Sequence, residues 1–542
     1  MSDQTPHVLF AAHLSRPTTP NKDPDAGLRG LGHYERRLPR WRFRLRQTLI
    51  PVVRWETPYL AYMQRVCRSQ WLDTYFALTA NLGTHTFFMT ALPICYWCGF
   101  PAMGNALVHM LAMGVYFSGF VKDMACLPRP LSPPLQRITM SGSAALEYGF
   151  PSTHTTNAVS VALFCLYQLH LAQEEYTPLV YSMLQALFYC YAISITLGRM
   201  YCGMHGFFDV IFGGLLGAAI AWIRIAYGTA FDAWMVAGDW TRPALAVVVL
   251  GVAVRVHSEP ADNCPCFDDS VSFLGVVMGI ELGSWHYAKY VASNSQAIDM
   301  YSFDNSLLKV GARVVGGIVV IFLWRAVMKP TLLRCLPPVY RFVDKWGLTL
   351  SRRYFLQSRD YKIVPPLRND DNIIDISAMI SNLRHPRKRT VSIGPQSEAD
   401  ARELIANRAQ KRRYSRSGSD KRKQGQRRSR RAVPSPTIAI DECAGSSAGS
   451  DSSKTGDESK QPSLRVNARA DLNLLTPPAS DAGASSDSGR EDERKDREMF
   501  SALEKPRIHY DAEVVTRIVV YAGIAWLAVE GNPLLFRWAG VA

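Results

Sequence analysis

Formal charge is missing from one long stretch of this 542-residue sequence. No Asp, Glu, Lys or Arg occurs in the 48 residues 74–121. A helix that spans a bilayer needs roughly 20 apolar residues. The stretch therefore suits two membrane-spanning helices and is too long for a single buried core helix. An ordinary soluble enzyme is excluded.

Cysteines are few and scattered. The 11 cysteines give no disulfide framework, and Cys95 and Cys98 are expected to be ordinary apolar residues of the uncharged stretch. Cys264 and Cys266 are too close in sequence for a usual zinc site, and no second Cys/His pair accompanies them. We therefore expect no metal and no cofactor. The sequence also lacks an Asn-x-Ser/Thr sequon, and no cleavable signal peptide is expected.

Positive charge is concentrated in one segment. The chain has 61 Lys and Arg against 46 Asp and Glu, a net charge of +15, and residues 384–431 alone hold 17 against 4, a net charge of +13. A nucleic-acid partner is therefore not expected for the protein as a whole. The basic segment suits anionic lipid, at about 1 kcal/mol per Lys or Arg near the surface. Residues 384–500 are rich in Ser and Arg and almost lack aromatics, so we expect them to be disordered.

The apolar segments predict an all-α fold, a polytopic membrane helical bundle with a long disordered basic insert. Five spans are predicted, at 76–98, 104–121, 148–173, 176–198 and 206–222. The third and fourth form a helical hairpin, and Gly213, Gly214 and Gly217 of the fifth permit close helix contact. Weaker candidates follow at 243–256, 271–289, 309–328 and 515–530.

These segments predict five regions along the chain. They are a basic cytosolic N-terminal region (1–72), a catalytic membrane core (73–230), additional membrane helices (231–350), a cytosolic, largely disordered insert (351–500) and a C-terminal apolar segment (501–542).

Three polar clusters interrupt the apolar core, at residues 122–130, 151–154 and 198–209. Ionisable residues at membrane depth are costly unless they are paired or functional. Each cluster alone has an ordinary explanation, such as a snorkelling lysine or a capping histidine. Because two spans separate the second cluster from the third, all three are predicted to lie at the same membrane face. His109 and His170 lack neighbouring charges and are interpreted as ordinary span residues.

That face gathers three cations and two histidines, namely Lys122, Arg129, Arg199, His154 and His205. The cations and the helix N-terminal N–H groups near Ser152 and Thr153 suit a phosphate dianion. Asp209 lies one helical turn after His205, so we predict that it accepts a hydrogen bond from the imidazole and fixes its tautomer. His205 is then free to act as a nucleophile, and His154 to protonate the leaving oxygen. The pattern predicts phosphoryl transfer without a metal.

The patterns Lys-x6-Arg-Pro, Pro-Ser-x-His and Arg-x5-His-x3-Asp, in this order across 122–209, resemble the motifs of the type 2 phosphatidic acid phosphatase (PAP2) superfamily. The resemblance implies a helical membrane core and a covalent phosphohistidine mechanism. Lys122, Arg129 and Arg199 would hold the phosphoryl oxygens, assisted by Ser152 and nearby backbone N–H groups. His205 would attack, Asp209 would orient it, and His154 would protonate the leaving alkoxide. Vanadium haloperoxidases share this site geometry, but they are soluble.

Two departures narrow the resemblance. Thr153 stands where the superfamily usually has Gly, and Gly198 where it usually has Ser. With the runs at 129–134 and 148–155, these variants look like the sphingoid-base 1-phosphate phosphatases of fungi, over the chain to about residue 350. The likeness implies hydrolysis of dihydrosphingosine, phytosphingosine or sphingosine 1-phosphate at the endoplasmic reticulum membrane. No protein partner follows from it.

Three other functions stay open. They are a lipid phosphatase of broader range, a sphingolipid phosphotransferase and a non-enzymatic transporter of anionic lipid. The side of the membrane on which the site lies is open too. Two spans from a cytosolic N-terminus place the site in the cytosol, whereas the resemblance implies the lumen. We favour the lumen. A missed span or re-entrant segment near 48–66 would remove the conflict. The basic segment 384–431 is expected in the cytosol.

Overall fold

The computed structural model describes residues 25–79, 85–132, 134–139, 146–293, 306–346, 355–362, 364, 387–389 and 510–541. All of them lie in one compact unit, formed by Met1–Ser397 and Asp481–Ala542. The helices before the second polar cluster are α1 (Leu31–Arg37), α2 (Arg40–Cys67), α3 (Gln70–Thr79), α4 (His85–Trp97) and α5 (Pro101–Ala125). Those after it are α6 (Thr153–Leu171), α7 (Pro178–Tyr201), α8 (Phe207–Ala237), α9 (Thr241–Val256), α10 (Cys266–Ser293), α11 (Leu307–Asp344), α12 (Asp511–Trp526) and α13 (Asn532–Trp538). A 3-10 turn (Gln173–Glu175) joins α6 to α7, and a π segment (Leu527–Gly531) joins α12 to α13.

Among the described residues, five helical segments are long and apolar enough to cross a membrane, which confirms a multi-pass membrane protein of the all-α class. They are α5, α7, α8, α11 and the continuous segment Asp511–Trp538. The predicted break near Pro101 is confirmed, because α4 ends at Trp97 and α5 begins at Pro101. The fifth predicted span was too short, since α8 continues beyond Trp222 to Ala237.

The catalytic core is held together by helix pairs of distant sequence position. α6 packs on α8, α5 packs on α10, and α10 packs on α12. A Cβ atom at Gly213 would lie 2.7 Å from the Ser152 carbonyl oxygen. A Cβ atom at Gly217 would collide with the Thr156 carbonyl oxygen. These two glycines therefore let the N-terminus of α6 approach α8, as predicted, whereas Gly214 faces open space.

Helix α2 lies within residues 1–72, which were predicted to be a basic cytosolic region, with a span or re-entrant segment near 48–66 as the alternative. Its 28 residues include two prolines and many charges, so it carries no apolar run long enough to span a bilayer. Nevertheless Arg46 donates its Nε–H to the Cys126 carbonyl at 3.1 Å, and Gln64 donates to the Tyr201 carbonyl at 2.8 Å. α2 therefore holds the backbone of the first and third polar clusters in place through these hydrogen bonds.

His109 does have charged neighbours, so its interpretation as an ordinary span histidine was wrong. Its Nε2 lies 2.5 Å from Glu281 Oε1 of α10, and its Nδ1 lies 3.3 Å from Arg224 Nη1 of α8. Arg224 in turn forms an ion pair with Asp232. The cluster was invisible in the sequence because its members are far apart along the chain.

Most of the predicted disordered insert lies outside the described residues. One described piece of it, β2 (Arg387–Arg389), pairs antiparallel with β1 (Arg137–Thr139), and Arg137 stands opposite Arg389. These three residues are an ordered exception within an insert that was predicted to be largely disordered. The pairing also places the start of the basic segment on the same side of the membrane as the loop after α5.

Candidate active site

The first polar cluster begins in the last turn of α5. Lys122 is buried there, and the backbone of Cys126 adopts a left-handed conformation that ends the helix (φ 51°). The chain then turns back across the bundle and brings Arg129 toward the third cluster. The Lys122 ammonium lies 3.8 Å from a carboxylate oxygen of Glu147.

Arg129 joins the first cluster to the third. Its Nη1 donates to the Met204 carbonyl at 2.8 Å and lies 3.2 Å from His205 Nε2. Its Nε donates to the Glu147 carbonyl at 3.1 Å, and its Nη2 to the Glu147 carboxylate at 2.8 Å. The guanidinium is therefore locked in place before any ligand binds.

The hydrogen bonds of His205 determine its tautomer. Nδ1 lies 2.8 Å from the Gly149 carbonyl oxygen, which only accepts, so Nδ1 carries the proton. Nε2 faces the Arg129 guanidinium, which only donates, so Nε2 presents its lone pair. An imidazole in this tautomer has its nucleophilic nitrogen pointed into the cation cluster.

Electrostatics also keep the His205 ring neutral. Burial and four neighbouring basic side chains lower the pKa of His205 well below its ordinary value; these neighbours are Arg129, Arg199, Lys122 and His154. The three cations and His154, all predicted from the sequence, are thus brought together around the His205 imidazole. A phosphate dianion would relieve the repulsion that they share.

Asp209 does not hold the position that was predicted for it. Its Oδ2 lies 3.7 Å from His205 Nδ1, beyond hydrogen-bond distance, and accepts instead from the Gly206 N–H at 2.8 Å. The prediction that Asp209 fixes the tautomer was wrong, because the Gly149 carbonyl takes that proton. Asp209 is a helix cap for α8 whose charge lies close to the imidazole.

Within the described residues, Arg199 carries an unsatisfied hydrogen-bond donor. It is buried in the last turn of α7, and its Nε has no hydrogen-bond partner among the residues that the structure describes. A buried donor without a partner is costly. An anion in the site would satisfy it.

The second cluster forms the start of α6. Ser152 caps the helix by accepting from the Thr155 N–H at 3.4 Å, and its own N–H donates to the Asp209 carbonyl at 3.0 Å. That N–H is therefore already occupied. His154 is half-buried and lies close enough to His205 to act on its charge.

Both departures from the superfamily pattern have a structural reason. The Thr153 hydroxyl lies 2.7 Å from that of Ser118 in α5, so it ties α6 to α5 where Gly would not. A Cβ atom at Gly198 would lie 2.8 Å from a ring carbon of Phe76 in α3. Gly198 therefore provides the room in which α3 packs against α7.

Three further residues at the site were not identified from the sequence, namely Glu56, Glu147 and Gly149. Glu56 of α2 accepts from the Phe208 N–H at 3.0 Å, beside the Asp209 cap. Burial raises the pKa of Glu56 to about 7. Only the run at 148–155 offered a signal, and Glu147 immediately precedes it.

The Cys264–Cys266 pair does have a third potential ligand, which the sequence did not reveal. The carboxylate of Asp123, fully buried, lies within 4.8 Å of both sulfurs. The sulfurs are 2.7 Å apart, whereas two thiolates on one tetrahedral zinc would lie roughly 3.8 Å apart.

Comparisons with known proteins agree with this site. The PAP2 superfamily sequence model matches residues 104–232. The chain is 43% identical to a dihydrosphingosine 1-phosphate phosphatase of Schizosaccharomyces pombe, over 55% of this chain and 72% of the relative. It is 32% identical to one of Saccharomyces cerevisiae, over 57% and 75%.

A sphingosine-1-phosphate phosphatase 2 of Homo sapiens is 26% identical, over 53% of this chain and 72% of the relative. No solved structure matches. Taken with the three motifs around His205, these similarities show that the chain belongs to the PAP2 superfamily, in the family that includes the dihydrosphingosine 1-phosphate phosphatases of the two yeasts.

Proposed function

We propose that this membrane protein hydrolyses sphingoid-base 1-phosphates through a phosphohistidine formed on Nε2 of His205. The observation that carries the proposal is the state of that imidazole, which is neutral, has its Nε2 lone pair exposed to Arg129 and lies among three cations. The named activity of its yeast relatives supports the substrate class.

The first step forms the bond between Nε2 and phosphorus and breaks the bond between phosphorus and the ester oxygen. Arg129, Arg199 and Lys122 neutralise the phosphoryl oxygens, and Arg129 exchanges its contact with Nε2 for one with phosphate. The leaving alkoxide takes a proton from His154. Throughout, Nδ1–H stays on the Gly149 carbonyl and holds the ring in line.

The second step releases phosphate. Water attacks phosphorus, His154 takes the water proton, and the bond between phosphorus and Nε2 breaks. The imidazole returns to its starting tautomer. Asp209 contributes a nearby negative charge while the phosphorylated ring is cationic, and Ser152 and Thr153 contribute by placing His154 at the start of α6.

The test is phosphate release from dihydrosphingosine 1-phosphate by the purified full-length protein in mixed micelles. His205→Ala should abolish release, whereas the matched control His170→Ala, at the exposed end of α6, should retain it. Release that survives in His205→Ala would contradict the covalent mechanism. Phosphate transferred to an added alcohol in preference to water would indicate a phosphotransferase.

We propose that the protein resides in the endoplasmic reticulum membrane with its site facing the lumen. The proposal departs from the cytosolic location expected for residues 384–431. The rule that places positive loops in the cytosol, however, applies to connections of up to roughly 60 residues. The connection between Asp344 and Asp511 is far longer. Because β1 pairs with β2, epitope tags near residues 140 and 395 should share one side, and both should be protected from protease in sealed microsomes. Cleavage of both would place the site in the cytosol.

A further inference from the structure

One carboxylate in the site has no part in the mechanism. Glu147 places Oε2 at 2.8 Å from Arg129 Nη2 and at 3.8 Å from Lys122 Nζ. Its side chain is 25% exposed, whereas Asp209 is only 1% exposed. Glu147 therefore occupies the two cations that a phosphoryl group must reach, and it can itself be reached by a ligand.

Binding of a phosphate dianion must change the surroundings of Glu147. A phosphate dianion bound by Arg129 and Lys122 places a second anion beside the Glu147 carboxylate, which keeps its hydrogen bond from Arg129 Nη2. Like charges at this separation repel strongly in a partly buried site. A positive charge that the ligand brings to the carboxylate would relieve this repulsion.

A sphingoid-base 1-phosphate carries such a charge at the required place. Its ammonium is attached to the carbon next to the one that bears the phosphate ester, so the two groups reach adjacent positions. We propose that Glu147 is the binding subsite for the substrate ammonium, an inference that rests on the proposed phosphatase function. Glu147 thereby selects for a lipid phosphate with a neighbouring amine and against one without it.

The experiment compares three substrates on each preparation of full-length protein. They are dihydrosphingosine 1-phosphate, its N-acetyl derivative, in which the nitrogen is uncharged, and lysophosphatidate, which has no amine. The variants are Glu147→Gln and Glu147→Asp, and Glu174→Gln in the exposed turn between α6 and α7 is the matched control. Because each result is a ratio of kcat/KM values within one preparation, partial loss of folded protein cancels.

In the wild type and in Glu174→Gln, the free-amine substrate should be preferred by about tenfold or more. Glu147→Gln should bring the ratio near unity, mainly by raising KM for the free-amine substrate, and Glu147→Asp should restore part of the preference. A uniform fall for all three substrates would show that Glu147 only positions Arg129. A uniform rise would show that it only blocks the phosphate pocket, and either result overturns the subsite.

Failure of the subsite is distinguishable from failure of the proposed function. If the wild type hydrolyses lysophosphatidate as fast as the free-amine substrate, no ammonium subsite exists although the phosphatase reaction stands. If it releases phosphate from none of the three, both proposals are wrong.

Discussion

Replacing Asp209 with asparagine separates the charge of this residue from its structural role. The side-chain amide of the Asp209→Asn variant retains an oxygen that can accept from the Gly206 N–H, and the Gly149 carbonyl still holds Nδ1–H of His205. The variant should therefore keep the fold and the tautomer. What it removes is the negative charge 3.7 Å from the imidazole.

The magnitude follows from that distance. Two unit charges about 4 Å apart interact by about 4 kcal/mol at an effective dielectric constant of 20. Since 1.36 kcal/mol corresponds to tenfold in rate, kcat should fall by roughly a thousandfold. KM should change little, because the ring becomes cationic only as it is phosphorylated.

The assay is steady-state phosphate release, with melting temperature as the control for folding. A fall in kcat of less than tenfold in well-folded protein would show that Asp209 acts only as the cap of α8. A rise in KM with kcat unchanged would show that it acts in substrate binding, and either result would refute the electrostatic role.

Three further predictions concern the surroundings of the site. Gly198→Ala should lower the free energy of unfolding by about 1–3 kcal/mol, because the added Cβ would lie 2.8 Å from a ring carbon of Phe76. Adding Phe76→Leu to this variant should recover part of the lost melting temperature. An equal loss in the single and the double variant would contradict the contact. Because burial raises the pKa of Glu56 from 4.5 to about 7, its contribution to stability is present below pH 4.5 and lost as the pH rises through 7. The melting temperature of Glu56→Gln relative to wild type should therefore rise between about pH 5 and pH 8, and a difference that stays constant would exclude this titration. Glu281→Gln should lower the melting temperature, because it weakens the contact with His109. KM should change little, because His109 lies about 20 Å along α5 from Lys122 of the active site. A changed KM would contradict this independence.

Most residues of the candidate site could be predicted from the sequence because they lie in short local motifs. Lys122, Arg129, His154, Arg199 and His205 stand at the ends of apolar helices, where an ionisable side chain is conspicuous. The helix break at Pro101 and the close packing at Gly213 and Gly217 of α8 were also predicted and are confirmed, whereas Gly214 faces open space.

What the sequence did not reveal depends on contacts between distant segments. The proton acceptor of His205 is a backbone carbonyl, that of Gly149, which no side-chain pattern can indicate. Helix α2 carries too many charges to be recognised as a span, yet it places Glu56 at the start of α8. The charged neighbour of His109 could not be seen in the sequence, because Glu281 lies on another helix, far away along the chain.

The covalent intermediate is the most direct test of the central claim. Wild-type protein should be mixed with dihydrosphingosine 1-phosphate labelled in its phosphate, quenched in alkali within the first turnovers, digested and sequenced by mass spectrometry. The label should lie on His205 and should be lost on brief treatment with acid, as a phosphoramidate requires, and His154→Ala should trap it for longer. Rapid phosphate release with no labelled His205, or with the label on another residue, would contradict the claim that Nε2 of His205 is the nucleophile.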